Sequence, residues 1–190
     1  MEIIIKRLTP ALAEDYLGFF DTTPHSTNKA EHRCYCVCWC SDDGGRDFST
    51  AEKRRCVAAE YVRTGVIQGY LAYADGRPVA WCNANTRADC THCLSWRMFM
   101  GAVPPEAGRT KAVFCFAVAP AYRRQGIAAL LLARVCQDAA AEGFAAVEGY
   151  PNARFESTES DFMGPAALFA RQGFAEAGRA GGRLVMRKPL

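Results

Sequence analysis

The residues best suited to chemistry lie in one run, Val113–Ala128, VFCFAVAPAYRRQGIA. An apolar, strand-like stretch ends at Val118, and a turn containing Pro120 follows. Arg123, Arg124, Gln125 and Gly126 then lead into an Ala/Leu-rich helical stretch that opens at Ile127 and Ala128. The start of a helix leaves its first N–H groups without carbonyl partners and carries partial positive charge. Arginines beside such amides make a cradle for a diphosphate, and Gly126 lets the anion approach backbone that a side chain would cover. Taken alone, the same residues also describe a basic turn capping a helix.

A second run lies downstream. Gly164–Phe174, GPAALFARQGF, reads as a short helix ending on a Gly-Phe step into a strand. Arg123-x-x-Gly126-x-Ala128 preceded by Val118-x-Pro120, together with this later run, resembles the acetyl-CoA pyrophosphate loop and last-helix motif of the GNAT family of N-acetyltransferases. The resemblance runs from about residue 66 to the C-terminus and is looser over residues 1–65. The runs CYC at 34–36, GYLAY at 69–73, AWCNA at 80–84 and CFAVAPAYRRQGIA at 115–128 are similar to a bacterial-type subgroup without a defined substrate.

The resemblance implies an α/β fold: a central mixed, mostly antiparallel sheet splayed at the fourth and fifth strands and flanked by helices, as one domain over residues 1–190. It implies acetyl-CoA as co-substrate. The backbone of Phe116, Ala117 and Val118 would pair with the pantetheine arm as an added strand does. The pyrophosphate would rest on Arg123, Arg124, Gln125, Gly126, Ile127 and Ala128, with Asn152 reaching the arm.

Acyl transfer to an amine requires a deprotonated amine, a donor for the developing oxyanion and neutralisation of the departing thiolate. A backbone N–H near Val118 serves the second need. Glu148, beside the expected slot, can act as base directly or through water; it can equally face solvent or pair with an arginine. Many members of the family carry a tyrosine in the last helix that protonates the thiolate, and the matching residue here is Phe169. A phenyl ring donates no proton. Tyr150, Cys115 or a water takes the role, or the thiolate leaves unassisted, its thiol being fairly acidic already.

On the acceptor side, Cys34, Tyr35 and Cys36 are expected in a lid over the slot, and Trp81 and Asn83 on a strand that can line a pocket or fill the core. Trp39 and Trp96 fall in loops with the same two readings. Asp42, Asp43, Glu156, Glu159 and Asp161 sit in two loops expected to flank the slot, where they suit a cationic amine or merely a solvated loop. Cys34–Cys40 and Cys90-Thr91-His92-Cys93 raise the question of zinc, for which Cys-x-x-Cys is a good knuckle. Alternate residues of an extended strand stand roughly 6–7 Å apart, too far to share one ion. The cysteines therefore read as small apolar packers, and no metal is expected.

Composition sets outer limits. The chain has 190 residues, 50% hydrophobic and 23% charged, with a net charge of +3. So dispersed a charge makes no basic stripe for nucleic acid. Ile3-Ile4-Ile5 is too short for a secretory leader, and no apolar run reaches membrane-spanning length. Ten cysteines without such a leader read as free thiols in the cytoplasm. The expected partners are acetyl-CoA and a small-molecule primary amine, with a homodimer open. Two alternatives stand beside this: a protein or peptide acceptor, and a zinc- or thiol-sensing protein on the same scaffold.

Periodicity and breakers supply the elements that must position these residues. Strands are expected over Glu2–Leu8, Val66–Ala74, Pro78–Arg87, Ala112–Val118, Ala145–Tyr150, Phe174–Gly178 and Arg183–Lys188. Helices are expected over Ala11–Phe20, from a Ser49-x-x-Glu52 capping box to Thr64, from about Arg124 to Glu142, and over Pro165–Gln172. Residues 21–48 and 88–110 read as irregular.

Overall fold

A computed structural model describes residues 2–40, 45–100, 103–105 and 108–190. Among them, seven strands form one sheet, β1 (Ile4–Arg7), β2 (Gly69–Ala74), β3 (Arg77–Thr86), β4 (Thr110–Val118), β5 (Ala146–Gly149), β6 (Ala175–Ala180) and β7 (Arg183–Pro189), in the order β1-β2-β3-β4-β5-β7-β6. Every neighbouring pair is antiparallel except β4–β5, which is parallel. The helices are α1 (Ala13–Thr22), α2 (Ala51–Arg63), α3 (Leu94–Phe99), α4 (Ile127–Ala141) and α5 (Ala166–Arg171). This is the mixed, mostly antiparallel α/β sheet expected. No helix among the described residues is long and apolar enough to cross a membrane.

Alternation along the strands divides the core into two layers. Leu71, Tyr73, Trp81 and Phe114 pack with α1, α2 and the 34–39 segment. Tyr70, Ala72, Ala80, Cys82 and Val113 pack against α4 and α5.

The alternation breaks at Val79 of β3, which is skipped in the pairing with β2, and again on β4. Asn83 faces Cys115 and Ala84 faces Val113, so Phe114 is an extra residue bulged out of register. Phe114 and Cys115 consequently turn to the same layer, whereas Val113 and Phe116 belong to the other. Pairing with β5 then ends at Val113–Gly149, and β4 runs on alone to Val118. The sheet opens there. β5 ends at Gly149, a position that takes no side chain because a Cβ there would come within 2.0 Å of the Phe169 ring.

Several sequence-based boundaries shift for identifiable reasons. β2 starts at Gly69 because the N–H groups of Val66 and Ile67 still donate to the Tyr61 carbonyl at the end of α2, at 2.8 and 3.2 Å. Thr50, not Ser49, caps α2, its Oγ1 accepting from the Lys53 N–H at 3.3 Å. α4 starts at Ile127 because Arg124 and Gly126 have φ of 60° and 81°, which no right-handed helix contains. Residues 88–110 are not wholly irregular: a 3₁₀ turn at Arg87–Cys90 and α3 lie within them. The segment after Cys34 is no extended strand either. Tyr35 and Cys36 are both left-handed, at 46° and 55°, and a 3₁₀ turn over Val37–Trp39 follows.

Candidate active site

The opened edge of β4 forms the floor of a cavity of about 1350 Å³. Residues of α1, the 33–39 segment, α3, β4, the 122–129 turn and the 155–171 stretch wall it. Ligand pockets commonly measure about 300–1,000 Å³, so this one has room for a cofactor arm and an acceptor together.

At one end stands the Arg-rich turn. Arg123 donates from Nε to the Val118 carbonyl at 3.0 Å, and Gln125 donates from Nε2 to the Ala121 carbonyl at 2.9 Å. These bonds fold the turn back on β4. The left-handed residues Arg124 and Gly126, interleaved with right-handed and extended ones, curl the backbone into an anion-binding nest at the start of α4. A Cβ on Gly126 would meet no protein atom within 4 Å, so open space lies over the loop, and Arg123, Arg124 and Arg171 supply cationic wall. This donor set fits a diphosphate.

Along the floor, the Phe116 N–H donates to the Phe162 carbonyl at 2.8 Å, so part of the edge expected to meet the pantetheine arm is already paired. Val118, two residues further, presents its N–H to the same side, away from β3.

Of the residues singled out from sequence, Cys34, Cys36, Cys115, Phe116, Ala117, Val118, Arg123, Arg124, Gly126, Ile127 and Ala128 lie in the cavity wall. Gln125 does not; its side chain staples the turn from outside. Asn152 is outside as well, donating to the Ser160 carbonyl at 3.1 Å and bridging to Arg183. The Tyr35 hydroxyl turns away to Asp21 Oδ1 at 2.7 Å. Trp81 is fully buried, edge-on to Tyr16 at 4.8 Å. Asn83 is spent on structure: its Oδ1 accepts from Asn85 Nδ2 at 2.9 Å, and both amides donate to Cys40 Sγ. Trp39, Glu159 and Asp161 line the cavity, whereas Trp96 and Glu156 do not. Asp42 and Asp43 lie outside the described residues.

Glu148 is 0% exposed and holds no position on the wall. Arg87 donates to both of its oxygens at 3.1 and 3.2 Å, Arg187 donates at 2.6 Å and the Tyr150 hydroxyl at 2.8 Å. The two arginines also reach the Pro104 and Pro105 carbonyls at 2.6 and 3.1 Å, tying that segment to the end of β5. Burial and the neighbouring Glu148 charge push the Tyr150 phenol well up, so it keeps its proton and points it at Glu148. Neither residue reaches the cavity, which corrects the sequence-based expectation of a base and an acid there. The arginine pairing foreseen as the plainer possibility for Glu148 is the arrangement found. Cys115 alone of the three catalytic candidates lines the cavity.

Several of the buried thiols are pushed towards their protonated form. A hydrogen bond with Cys36, then burial, raises Cys34. Contact with Cys115 does the same for Cys36, and burial pushes Cys40 up to about 12. Metal binding requires thiolates, and no group of three or more His, Cys, Asp or Glu among the described residues is arranged to hold an ion.

The rest of the wall went unmarked in the sequence. Phe19, Phe20, Met98, Phe99, Phe155 and Phe162 contribute to it, with His25 beside them. Burial and the nearby His32 lower the pKa of His25. Its Nδ1 accepts from the Thr27 N–H at 3.2 Å, which leaves the ring proton of the neutral form on Nε2.

The model of the acetyltransferase (GNAT) family matches residues 13–174. No curated protein sequence matches the chain. Among solved structures, a GNAT-family acetyltransferase from Streptococcus pneumoniae superposes with a TM-score of 0.55 at 14% identity, over 100% of both chains. The PaiA N-acetyltransferase of Thermoplasma acidophilum, in complex with coenzyme A, gives 0.55 at 12% identity, also over 100% of both. The ribosomal-protein-S18-alanine N-acetyltransferase of Escherichia coli gives 0.53 at 16%, over 99% of this chain and 94% of that one. At such identities these likenesses speak for the fold. The family match, over most of the chain and including the Arg123–Ala128 cradle, makes this protein a member of the acetyltransferase (GNAT) family, an acetyl-CoA-dependent N-acetyltransferase.

Proposed function

We propose that the protein transfers the acetyl group of acetyl-CoA to a primary amine of a small molecule. Acetyl-CoA supplies the activated thioester. The amides from Arg123 to Ala128, with the arginines beside them, hold its diphosphate and fix the reach of its arm along β4. The Val118 N–H lies on the side of β4 where charge develops on the acyl oxygen and donates to it. As the C–N bond forms and the C–S bond breaks, the Cys115 thiol, on the floor beside Phe116, gives its proton to the leaving thiolate in place of the tyrosine that Phe169 replaces. The proton shed by the acylated nitrogen restores the Cys115 thiol. Glu148 has a positioning role, and the reducing cytoplasm suits ten free thiols.

One observation carries the choice of acceptor. Beyond the cradle, α1, the 33–39 segment, α3 and the 155–162 loop wall the cavity on several sides. Walls on several sides suit a small molecule better than a polypeptide, which needs an open groove. The test is mass spectrometry of products after incubation with acetyl-CoA and either primary amines or peptides with free N-termini. Direct product detection matters because ten cysteines defeat thiol-reactive dyes. Acetylated amines with unmodified peptides are expected; acetylated peptides alone would reverse the assignment.

A further inference from the structure

Past the cradle the cavity wall has one dominant character. Phe19, Phe20, Trp39, Met98, Phe99 and Phe162 meet there. Trp39 is fixed in a stack, 4.6 Å and 8° from Phe114 and 6.0 Å and 28° from Phe99. Met98 is 74% exposed, an apolar side chain left at the rim. The Cys34, Cys36 and Cys38 thiols between them are raised in pKa and act as small, soft, uncharged contacts.

Among the described residues, negative charge enters the wall from one segment, as Glu159 and Asp161. Asp161 is 5% exposed. Its Oδ2 accepts from the Glu156 and Ser157 N–H groups at 2.8 and 3.2 Å, while Oδ1 is buried with no hydrogen-bond partner. An unpaired carboxylate oxygen is costly to bury, and a cationic donor would satisfy it. Arg33 has Asp21 as a charge partner, and Arg183, over the Phe162 ring at 5.3 Å, lies close enough to feel the Asp161 charge but does not hydrogen-bond Oδ1.

We propose that the acceptor end takes a primary amine with an aromatic or bulky apolar body. The ring lies against the Trp39–Phe99–Phe162 wall and the ammonium turns to Asp161 and Glu159. This rests on the acetyl-transfer reading above and narrows it to a substrate class. Aromatic walls reward a stacked ring. A polyamine or an amino sugar would leave most of its polar groups unpaired against the same surface.

The experiment compares kcat/KM for 2-phenylethylamine, 1,4-diaminobutane and glucosamine at saturating acetyl-CoA, with products read by mass spectrometry. The aromatic amine is expected to lead by about a hundredfold, as apolar pockets discriminate. Met98→Ser, at an exposed position that the fold tolerates, and Phe99→Ala should each raise KM for 2-phenylethylamine about tenfold. Neither should alter the thermal stabilisation by acetyl-CoA. Preference for the diamine or the sugar, equal rates, or acetyl-CoA binding with none of the three acetylated would overturn the inference alone. Absence of any stabilisation by acetyl-CoA would instead bring down the transferase reading and this inference with it.

Discussion

Glu148 lies on β5 beside the place where the sheet opens, and its type suits a base, but its oxygens are already committed to Arg87, Arg187 and Tyr150. Glu148→Gln would leave buried guanidinium charge facing a neutral amide. Breaking a buried pair from one side costs about 3–5 kcal/mol, and the lower figure applies because Arg187 is 21% exposed. For a chain of this size a cost of about 3 kcal/mol lowers the melting temperature by roughly 6–12 °C. Scanning calorimetry of the variant should show that drop, with stabilisation by acetyl-CoA retained below the new transition. A wild-type melt combined with lost turnover would mean that the carboxylate works on substrate. Residue identity was legible in the sequence here, and so was the choice between base and ion pair. Which of the two holds was not, because it depends on Arg87 and Arg187, distant in sequence and brought in by other elements. The same applies to Trp81 and Asn83, whose types suit a pocket but whose strand positions turn them into the core and onto Cys40.

The β4–α4 unit is the element proposed to hold acetyl-CoA. Its strand, turn and helix follow from the apolar run, Pro120 and Gly126, and all of these were readable from local sequence. Gly126 has a φ of 81°. Gly126→Ala meets open space, so it should cost only the left-handed backbone penalty, about 1–2 kcal/mol, and weaken acetyl-CoA binding modestly. Gly126→Glu carries the same penalty and adds negative charge where the diphosphate rests. It should abolish binding by isothermal titration calorimetry. Equal affinities for the two variants would remove the diphosphate from this loop. The bulge at Phe114 left no trace in the sequence, since an inserted residue looks like one more apolar member of the run. It nevertheless decides that Cys115 and Ala117 face the acceptor layer while Phe116 and Val118 face α4.

At the scale of the molecule, the two core layers meet the cavity at the break between β4 and β5, so a ligand there bridges both. Acetyl-CoA at about a hundred times its Kd should add about 2.7 kcal/mol to stability and raise the melting temperature by roughly 5–11 °C. Zinc should add nothing comparable, because no three His, Cys, Asp or Glu side chains among the described residues are arranged to hold an ion. A melt shifted by zinc and not by acetyl-CoA would reverse the roles assigned to the cradle and the cysteines. By itself the sequence determined the seven strands in order and four of the five described helices, because helix starts, left-handed glycines and amphipathic periods are local properties of the chain. The donor came from the motifs' resemblance to a family. Only the tertiary structure decided the walls of the acceptor end. Phe19, Trp39, Phe99 and Phe162 come from four separate segments, and an apolar residue lining a cavity has the same sequence pattern as one filling a core. Periodicity reports that a side chain leaves water; what it meets there is set by the packing of elements remote in the chain.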